Sequence, residues 1–424
     1  MVKHFKYIVL SLLIANQSMA QDIQNLTLEK AYGLSEKNYP VTKQTALVQQ
    51  TAAINIDNLS KGYLPQFTFS GQATYQSDVT SIPVTIPGFN IESPSKDQYK
   101  LLADVNQVVY DGGVIKQQKV AQQLNAQVEE QKVAVELYKV KERVNQIYLS
   151  ILFMDEQLKQ VSLIKDDIQT GIKRVEAQVN NGVAFRSNLN VLKAESLKTD
   201  QRAIELKAGR KGLIETLALF LGQPLNENTV FEKPTVTSFA LQGDITRPEL
   251  KLYESQTKLI AQQNSLIKTK NLPKASLFVQ GGYGRPALNL LNNDFDFYYI
   301  GGVRFSWSLA GLYTKKKEKE LVEVNKHIVD IQKETFLLNT NTQLKQQQSE
   351  VQKLQQLVAT DNDIIDLRVQ VKDAAKSQLE NGVITANDFL REVNAEDQAR
   401  QTRITHQLQL LQAQINYQTI SGKQ

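Results

Sequence analysis

The sequence predicts an exported α+β membrane protein that combines a few membrane-length strands with very long coiled-coil helices. Three observations predict this class. The chain begins with a secretory signal, it contains four segments of about ten residues that alternate apolar and polar side chains, and it contains two helical segments of about 66 residues. These landmarks occur twice in the same order, so we also predict an internal tandem repeat.

The composition argues against an enzyme or a metalloprotein. The 424 residues include no Cys and only three His, which excludes thiol chemistry, disulfides and thiolate metal sites. His327 and His406 are isolated in polar, helix-like sequence and are predicted to be solvated surface residues. The glycine-rich run at 281–284 lies inside a predicted strand rather than in a phosphate-binding loop. We expect no enzymatic activity, no metal and no cofactor. The net charge of +5 gives no indication of a nucleic-acid partner.

Residues 1–20 have the three-part pattern of a secretory signal peptide. A basic start with Lys3 and Lys6 precedes an apolar core, and small residues at Ser18 and Ala20 predict cleavage before Gln21. Because no Cys follows that point, we expect a mature chain that is not lipidated. No later stretch has the ~18 apolar residues of a spanning helix. Unless the exported chain is soluble, it meets a membrane through strands or through a partner.

Several paired landmarks indicate a tandem duplication. An Asn-Gly-Val triplet at 181–183 corresponds to one at 381–383, and Leu-Pro pairs at 64–65 and 272–273 correspond in the same way. The segments 110–113 and 309–312 form a further pair, and prolines between the halves interrupt regular structure. We predict a first repeat over 21–222, a linker over 223–247 and a second repeat over 248–424.

Each repeat contains a predicted strand hairpin, at about 66–110 and about 275–309. Apolar side chains such as Phe67 and Phe69 alternate with polar ones such as Thr68, and this period of two assigns them to opposite faces. Strands of about ten residues are long enough to cross a bilayer at a tilt. The aromatic residues predicted to lie at the membrane interfaces are Tyr75, Tyr110, Tyr298, Tyr299 and Trp307.

The predicted strands are too few for a closed structure within one chain. The proline-containing segment from Val79 to Lys96 is predicted to be a long outer loop. A soluble sandwich of this chain length needs more than four strands, and a closed barrel usually needs at least about eight. The strands therefore predict that the chain self-associates.

Each repeat also contains one very long helix, predicted over about 114–179 and about 313–379. Apolar residues between 133 and 179 recur at alternating steps of four and three, and the same steps occur at 321–331 and 351–358. A helix of about 66 residues is roughly 100 Å long, so its narrow seam must pack against helices of similar length. Tight turns at Gly182 and Gly382 are each followed by a returning helix, over about 188–221 and about 388–420.

Taken together, these motifs resemble the TolC-type outer-membrane efflux proteins. The resemblance rests on the signal peptide, the 26–31 segment, the Leu-Pro-Gln start of a strand at 64–66, the Tyr-Asp-Gly-Gly segment at 110–113 and the paired Asn-Gly-Val turns. It covers essentially the whole mature chain. It implies a homotrimer in which each protomer gives four strands to one 12-stranded transmembrane β-barrel, continued by an α-helical coiled-coil periplasmic tunnel.

The same resemblance implies a location and partners. The barrel lies in the outer membrane of a Gram-negative cell, in contact with its lipid, and the helices extend into the periplasm. A periplasmic adaptor (membrane fusion) protein binds the hairpin turns and couples the duct to an inner-membrane pump. The residues that match these adaptor-docking turns are Asn181, Gly182, Val183, Ala184, Asn381, Gly382, Val383 and Ile384.

The resemblance also implies a constriction just inside the turns. Asp388 matches an aspartate that often forms an acidic ring in the family, although the Thr385-x-x-Asp388 spacing is also that of a capping box. Asn188 replaces the corresponding acid of the first turn, and Arg391 replaces a second acid found in some members. We therefore expect a partly neutralised ring with weaker cation selectivity than a ring of two acids would have.

Three functions remain open at this point. The first is the exit duct of a tripartite efflux pump, and the second is the duct of a type I protein secretion system, which would have the same structure. The third is a non-channel trimeric structural or adhesive coiled-coil protein. The transported substrate, the cognate pump and the resting state of the gate are not encoded in recognisable motifs.

Overall fold

The computed structural model describes residues 24–80, 93–235, 244–290 and 292–423. The predicted signal peptide and residues 81–92 of the predicted outer loop lie outside these ranges. Within the described residues, no helix is sufficiently long and apolar to cross a membrane.

The elements follow the predicted order of helix, two strands, long helix, turn and returning helix in each half. A pair of two-residue strands, β1 and β4, was not predicted. The elements are β1 Asn25–Leu26, α1 Leu28–Asn38, α2 Thr42–Ser60, β2 Gln66–Tyr75, β3 Asp97–Tyr110, α3 Val114–Asn180, α4 Arg186–Leu221, β4 Val230–Phe231, α5 Pro248–Lys270, β5 Lys274–Arg285, β6 Asp296–Ser306, α6 Gly311–Glu380 and α7 Ala386–Ser421.

Local chemistry explains where the helices begin and end. Gly182 and Gly382 have φ angles of 72° and 69°, and this left-handed conformation ends α3 and α6 without the steric cost that a side chain would add. The returning helices α4 and α7 begin at Arg186 and Ala386, slightly earlier than predicted, because residues 185 and 385 are their N-caps.

The chain forms two compact units, and each takes residues from both predicted repeats, whose boundaries stay a prediction. We call residues 1–43, 133–248 and 335–424 the helical unit, and residues 44–132 and 249–334 the sheet unit. The two long helices α3 and α6 contribute to both.

The sheet unit contains one antiparallel sheet in the order β2-β3-β5-β6. Its register places most apolar residues of the four strands on one face, as the alternation predicts: Phe69 pairs with Ala103, Ala103 with Gly281, and Gly281 with Tyr299. Leu102, Phe278 and Ile300 are exceptions and lie on the other face. Phe69 and Tyr299 are each 81% exposed. The sheet therefore presents an apolar face that the described residues of the protomer leave uncovered.

The helical unit contains two main apolar clusters. One surrounds the parallel β1–β4 pair and includes Tyr148, which is fully buried and lies edge-on to Phe231. The Tyr148 hydroxyl lies 2.6 Å from the carbonyl oxygen of Leu26 and 2.7 Å from that of Glu232, so it contacts the ends of both short strands. The other cluster lies beside the hairpin turns, where Ile168, Leu192 and Phe389 pack together.

The two predicted heptad seams have different environments. Seam residues of α3 are buried, with Val144, Ile151 and Ile168 at 0% exposure. In α6 the seam is buried at Val351 and Leu354, each 1% exposed, but its earlier part is exposed. The exposed seam residues are Leu321, Val324, Ile328 and Ile331, at 48–60%.

His406 is not the solvated residue that was predicted. Its Nδ1 atom lies 2.6 Å from Oδ2 of Asp361, and the Asp361 side chain is only 8% exposed. The pair joins α7 to α6, because a buried carboxylate needs a polar partner. His327 is exposed, as predicted.

Candidate functional site

The turn of the first hairpin is held by backbone hydrogen bonds. The amide of Gly182 donates to the carbonyl of Val179 at 3.0 Å, and the amide of Val183 donates to that of Gln178 at 2.8 Å. These bonds satisfy the last carbonyls of α3. The next helix, α4, has no side-chain cap, because its N-cap residue is Phe185.

The turn of the second hairpin has the same backbone bonds and, in addition, a complete capping box. The amides of Gly382 and Val383 donate to Leu379 and Gln378 at 3.1 and 2.9 Å. The Thr385 hydroxyl accepts from the amide of Asp388 at 3.3 Å, and Oδ2 of Asp388 accepts from the amide of Thr385 at 3.1 Å. The second turn is therefore the better stabilised of the two.

Asp388 is committed to this cap. Its Oδ2 atom also accepts the Thr385 hydroxyl at 2.7 Å. The hydrogen bond from the Thr385 side chain has the largest effect in lowering the pKa of Asp388, followed by the bond from the Thr385 backbone amide, and the charge of Arg391 lowers this pKa further. The carboxylate is therefore ionised at neutral pH, but one of its oxygens is occupied. Arg391 itself donates to Glu392 at 3.1 Å. Asn188 occupies the equivalent place on α4, where its backbone amide donates a hydrogen bond to the carbonyl of Phe185.

The two turns expose apolar side chains. Val183 and Val383 are 73% and 72% exposed, and Phe185 is 80% exposed. Ile384 instead packs partly against the cluster beside the turns. The sequence prediction included both valines and Ile384 but missed Phe185, although its position opposite the capping Thr385 was a readable signal.

The hairpins of the helical unit are joined beside the turns. The Gln178 side-chain amide donates to the Leu379 carbonyl at 3.1 Å, and Arg174 pairs with Glu380 at 2.8 Å. A mid-helix glycine, Gly171, permits close packing there, because a Cβ at that position would lie 3.3 Å from the ring of Phe389. The predicted docking residues 181–184 and 381–384 are thereby held next to each other.

A buried ionic cluster lies further along the same helices. Lys372 of α6 bonds Asp167 of α3 at 2.8 Å and Glu396 of α7 at 2.7 Å, and Arg400 bonds Glu396 at 2.6 Å. Burial alone would lower the pKa of Lys372, but the bonds to Asp167 and Glu396 outweigh it and raise that pKa. The ammonium therefore stays charged. Sequence reasoning missed this cluster.

The predicted interface aromatics do not all lie on one face. Tyr299 lies on the apolar face, Tyr75 follows the same alternation on β2, and Tyr110 reaches this face through a register shift after Val108. Tyr75 is 79% exposed and Tyr110 49%. Tyr298 lies on the other, polar face, opposite Gly282; a Cβ on that glycine would lie 2.4 Å from the Tyr298 ring.

Trp307 follows β6 and is 56% exposed. Its ring nitrogen donates to the carbonyl of Asn271 at 3.2 Å, which fixes the indole at the helix-bearing end of the sheet. An amphipathic ring with one satisfied polar atom suits a boundary between water and lipid.

In the ranges that the structure describes, no group of three or more His, Asp or Glu side chains could hold a metal ion. The described residues present an apolar sheet face, helices joined by hydrogen bonds and ion pairs, and two exposed turns. Features of this kind serve assembly and docking.

Comparisons with known proteins agree with this geometry. The family model described as "Outer membrane efflux protein" matches residues 31–223. No curated protein sequence matches the chain. Among solved structures, the chain is similar to the outer membrane protein VceC from Vibrio cholerae, with 14% identity, a TM-score of 0.64 and coverage of 94% of this chain and 97% of that one.

Two further structures have the same fold. The CmeC outer membrane channel of Campylobacter jejuni shares 14% identity with a TM-score of 0.61, covering 93% of this chain and 85% of that one. The open state of the Neisseria gonorrhoeae MtrE outer membrane channel shares 12% identity with a TM-score of 0.62, covering 93% and 89%. These matches confirm the resemblance to outer-membrane efflux proteins.

Proposed function

We propose that this chain, whose residues 31–223 match the model of the outer membrane efflux protein family, forms the trimeric outer-membrane exit duct of a tripartite efflux pump. The duct conducts substrates passively and catalyses no reaction. Energy comes from an inner-membrane pump, which a periplasmic adaptor connects to the hairpin turns.

The observation that carries the proposal is the open, one-sided sheet. In the described residues β2 and β6 are edge strands, and one face of the sheet is largely apolar, with exposed side chains such as Phe69 and Tyr299. Unpaired edges and uncovered apolar faces are unstable in water, whereas a closed barrel in a bilayer satisfies both. Three copies of the four-stranded sheet give twelve strands, which exceeds the minimum of about eight for closure.

The exposed seam of α6 supports the same assembly. The seam residues Leu321, Val324, Ile328 and Ile331 keep the heptad spacing of a coiled coil and are 48–60% exposed in their own protomer. A seam of this kind is buried when the helix packs against a neighbouring protomer. The long helices then surround a tunnel that continues the barrel.

The hairpin turns are the proposed docking surface for the adaptor. Their exposed side chains include Val183 and Val383, which stand on rigid backbone turns that restrict their motion before binding. Asp388 and Arg391, with Asn188 on the first hairpin, form the proposed constriction. Because Arg391 bonds Glu392, its neutralising effect on Asp388 acts through charge rather than through a direct bond.

Channel recording tests the proposal. Protein extracted from outer membranes in mild detergent is expected to be a trimer that gives steady single-channel conductance in planar bilayers. Replacing Val324 and Ile331 with Asp places charges in the exposed seam and is expected to abolish both the trimer and the conductance. His327→Asp is the matched control, because His327 is exposed on the same helix outside the seam.

Trimers without conductance reject the duct and favour the structural coiled-coil alternative. Conducting trimers of the Val324→Asp/Ile331→Asp variant leave the duct standing but show that the seam does not hold the assembly together.

A further inference from the structure

Four elements of the sheet unit converge at the helix-bearing end of the sheet. Asn271 lies there between α5 and β5, is 7% exposed, and accepts the Trp307 ring nitrogen at its carbonyl. Gly311, at the start of α6, approaches so closely that a Cβ there would lie 2.2 Å from the Asn271 side-chain oxygen. The end of α5, the start of β5, the end of β6 and the start of α6 therefore form one junction.

Lysines accumulate at this junction. Lys268 and Lys270 end α5, and Lys274 begins β5 opposite Ser306. Four more follow on the first turns of α6. We call the full set the lysine collar: Lys268, Lys270, Lys274, Lys315, Lys316, Lys317 and Lys319.

Little acidic charge balances the collar. The segments 268–274 and 311–320 contain seven Lys and only two acids, Glu318 and Glu320. Glu318 lies 3.6 Å from Lys270 and accepts from the Thr314 hydroxyl, and Glu320 bonds Lys317 at 2.6 Å. Among the described residues, the other lysines have no ion-pair partner: Lys268, Lys274, Lys315, Lys316 and Lys319.

Helix stability explains only part of the collar. Lys268 and Lys270 lie in the last turn of α5, where the helix dipole favours a cation, whereas the four lysines of α6 lie near its N-terminal end, where the dipole gives them no stabilisation and the first turn contains no acid. The equivalent junction of the first half carries three lysines, Lys61, Lys116 and Lys119, and Lys61 is paired with Asp57. The charge excess is therefore specific to the second junction.

Exposed aromatic side chains border the collar on the sheet side. Trp307 is 56% exposed and Tyr313 is 88% exposed. Lys316 and Lys317 follow Tyr313 by three and four residues, so the phenol and the two ammonium groups share one side of the helix. The apolar sheet face is followed by the aromatic residues and then by the basic collar. This order matches a bilayer, in which the apolar interior is followed by the interface and then by the charged headgroups.

We propose that the lysine collar is a binding surface for anionic phospholipid headgroups in the membrane leaflet on the helix-bearing side of the sheet. The phosphate groups accept from the ammonium groups, and the acyl chains lie along the exposed apolar face. This proposal rests on the proposed function, because it requires the sheet to lie in a bilayer.

Trp307, the only Trp of the chain, can serve as a fluorescence probe of this surface. Trp307 borders the collar, so quenching of its fluorescence by brominated lipids measures which lipid occupies the adjacent leaflet. The trimer is reconstituted in bilayers that contain brominated phosphatidylglycerol or brominated phosphatidylcholine at equal fractions. Each engaged lysine is expected to favour the anionic lipid by about fivefold at low salt, and the preference is expected to fall as salt screens it.

Two variants give a matched comparison. The first replaces Lys315, Lys316, Lys317 and Lys319 with Gln. Because Lys268, Lys270 and Lys274 remain, Trp307 of this variant is expected to lose most, but not all, of the preference for quenching by the anionic lipid. The control changes the same number of exposed lysines of the helical unit to Gln and is expected to keep the wild-type preference: Lys139, Lys159, Lys198 and Lys353.

The outcomes separate this proposal from the duct. Equal quenching of the wild type by both lipids, or an unchanged preference in the collar variant, overturns the collar and leaves the duct standing. If neither lipid quenches Trp307, the sheet does not lie in the membrane, and this result contradicts the proposed function as well. A preference lost in both variants shows a dependence on total charge and also rejects the collar.

Discussion

The difference between the two hairpin turns gives a prediction that can be worked through from the structure. In the second turn, the Thr385 hydroxyl accepts from the amide of Asp388 at 3.3 Å, and the Asp388 carboxylate returns a bond to the amide of Thr385. In the first turn, Phe185 and Asn188 occupy the corresponding places, and the α4 N-cap has no side-chain bond. Thr385→Ala removes the cap from the second turn and leaves the fold otherwise intact.

The expected cost follows from the bonds that are lost. Replacing an N-cap Thr with Ala destabilises a helix start by about 1 kcal/mol, which corresponds to about a fivefold rise in local opening. Opening exposes the amides of Asp388 and Phe389, which donate to the Thr385 side chain and carbonyl. Hydrogen exchange at these two amides is therefore expected to accelerate about fivefold.

The first turn offers the reciprocal experiment. Phe185→Thr with Asn188→Asp is expected to build the missing capping box and to slow exchange at the start of α4 by a similar factor. Exchange at Ile168 and Val144, buried in the middle of α3, is the control and is expected to stay unchanged. If Thr385→Ala leaves exchange at Asp388 and Phe389 unaltered, the cap does not hold the second turn and the reasoning fails.

The Asp388 cap also depends on pH in a known direction. Because its pKa is lowered in the folded chain, the stabilisation is present above the unfolded pKa and is lost as pH falls through the folded pKa. Protection at the start of α7, measured as the exchange rate relative to that of an unfolded peptide at the same pH, is therefore expected to fall in acid, and Asp388→Asn is expected to remove this dependence. An acid dependence that survives in Asp388→Asn assigns the effect to another group.

Three further substitutions test the packing. Tyr148→Phe is expected to cost about 1–2 kcal/mol of stability in thermal unfolding, because it removes a buried donor from the ends of β1 and β4; an unchanged midpoint contradicts this. Lys372→Met is expected to cost about 3 kcal/mol, because it leaves the buried carboxylate of Glu396 with only Arg400, and faster unfolding in denaturant reports it. Gly112→Ala is expected to lower the thermal stability more than Gly182→Ala does, although both glycines have a φ of 72°. The reason is that only a Cβ at position 112 would contact another atom, 2.9 Å away. Equal melting temperatures for the two variants would show that this clash has no effect.

The secondary structure could be predicted from the sequence because its causes are local. The alternation at Phe67, Thr68 and Phe69 assigned the faces of β2 correctly, since strand side chains alternate by geometry alone. The turn glycines Gly182 and Gly382 were equally readable, since only glycine adopts that conformation without strain.

Contacts between distant segments could not be predicted in the same way. Lys372 and Asp167 are 205 residues apart, and their bond depends on how α6 packs against α3. The Asp361–His406 pair depends likewise on the register of two helices, so each residue alone resembles a surface residue. Tyr110 faces the apolar side only because the register shifts after Val108, and composition does not reveal such a shift.

The environment of the exposed part of the α6 seam cannot be explained from one chain alone. The sequence identified the heptad repeat, and the structure shows that Val351 and Leu354 are buried while Leu321 and Ile331 are exposed. In the proposed trimer a neighbouring chain buries the exposed part, so on this proposal the complete environment of α6 depends on the oligomer.

Single-particle imaging of the mature protein, purified from outer membranes in mild detergent, tests the central claim most directly. The account predicts a hollow cylinder with threefold symmetry, in which a short barrel is continued by a tunnel of roughly 100 Å, the length of helices of this size. A compact monomer, or a solid rod without a lumen, would contradict it.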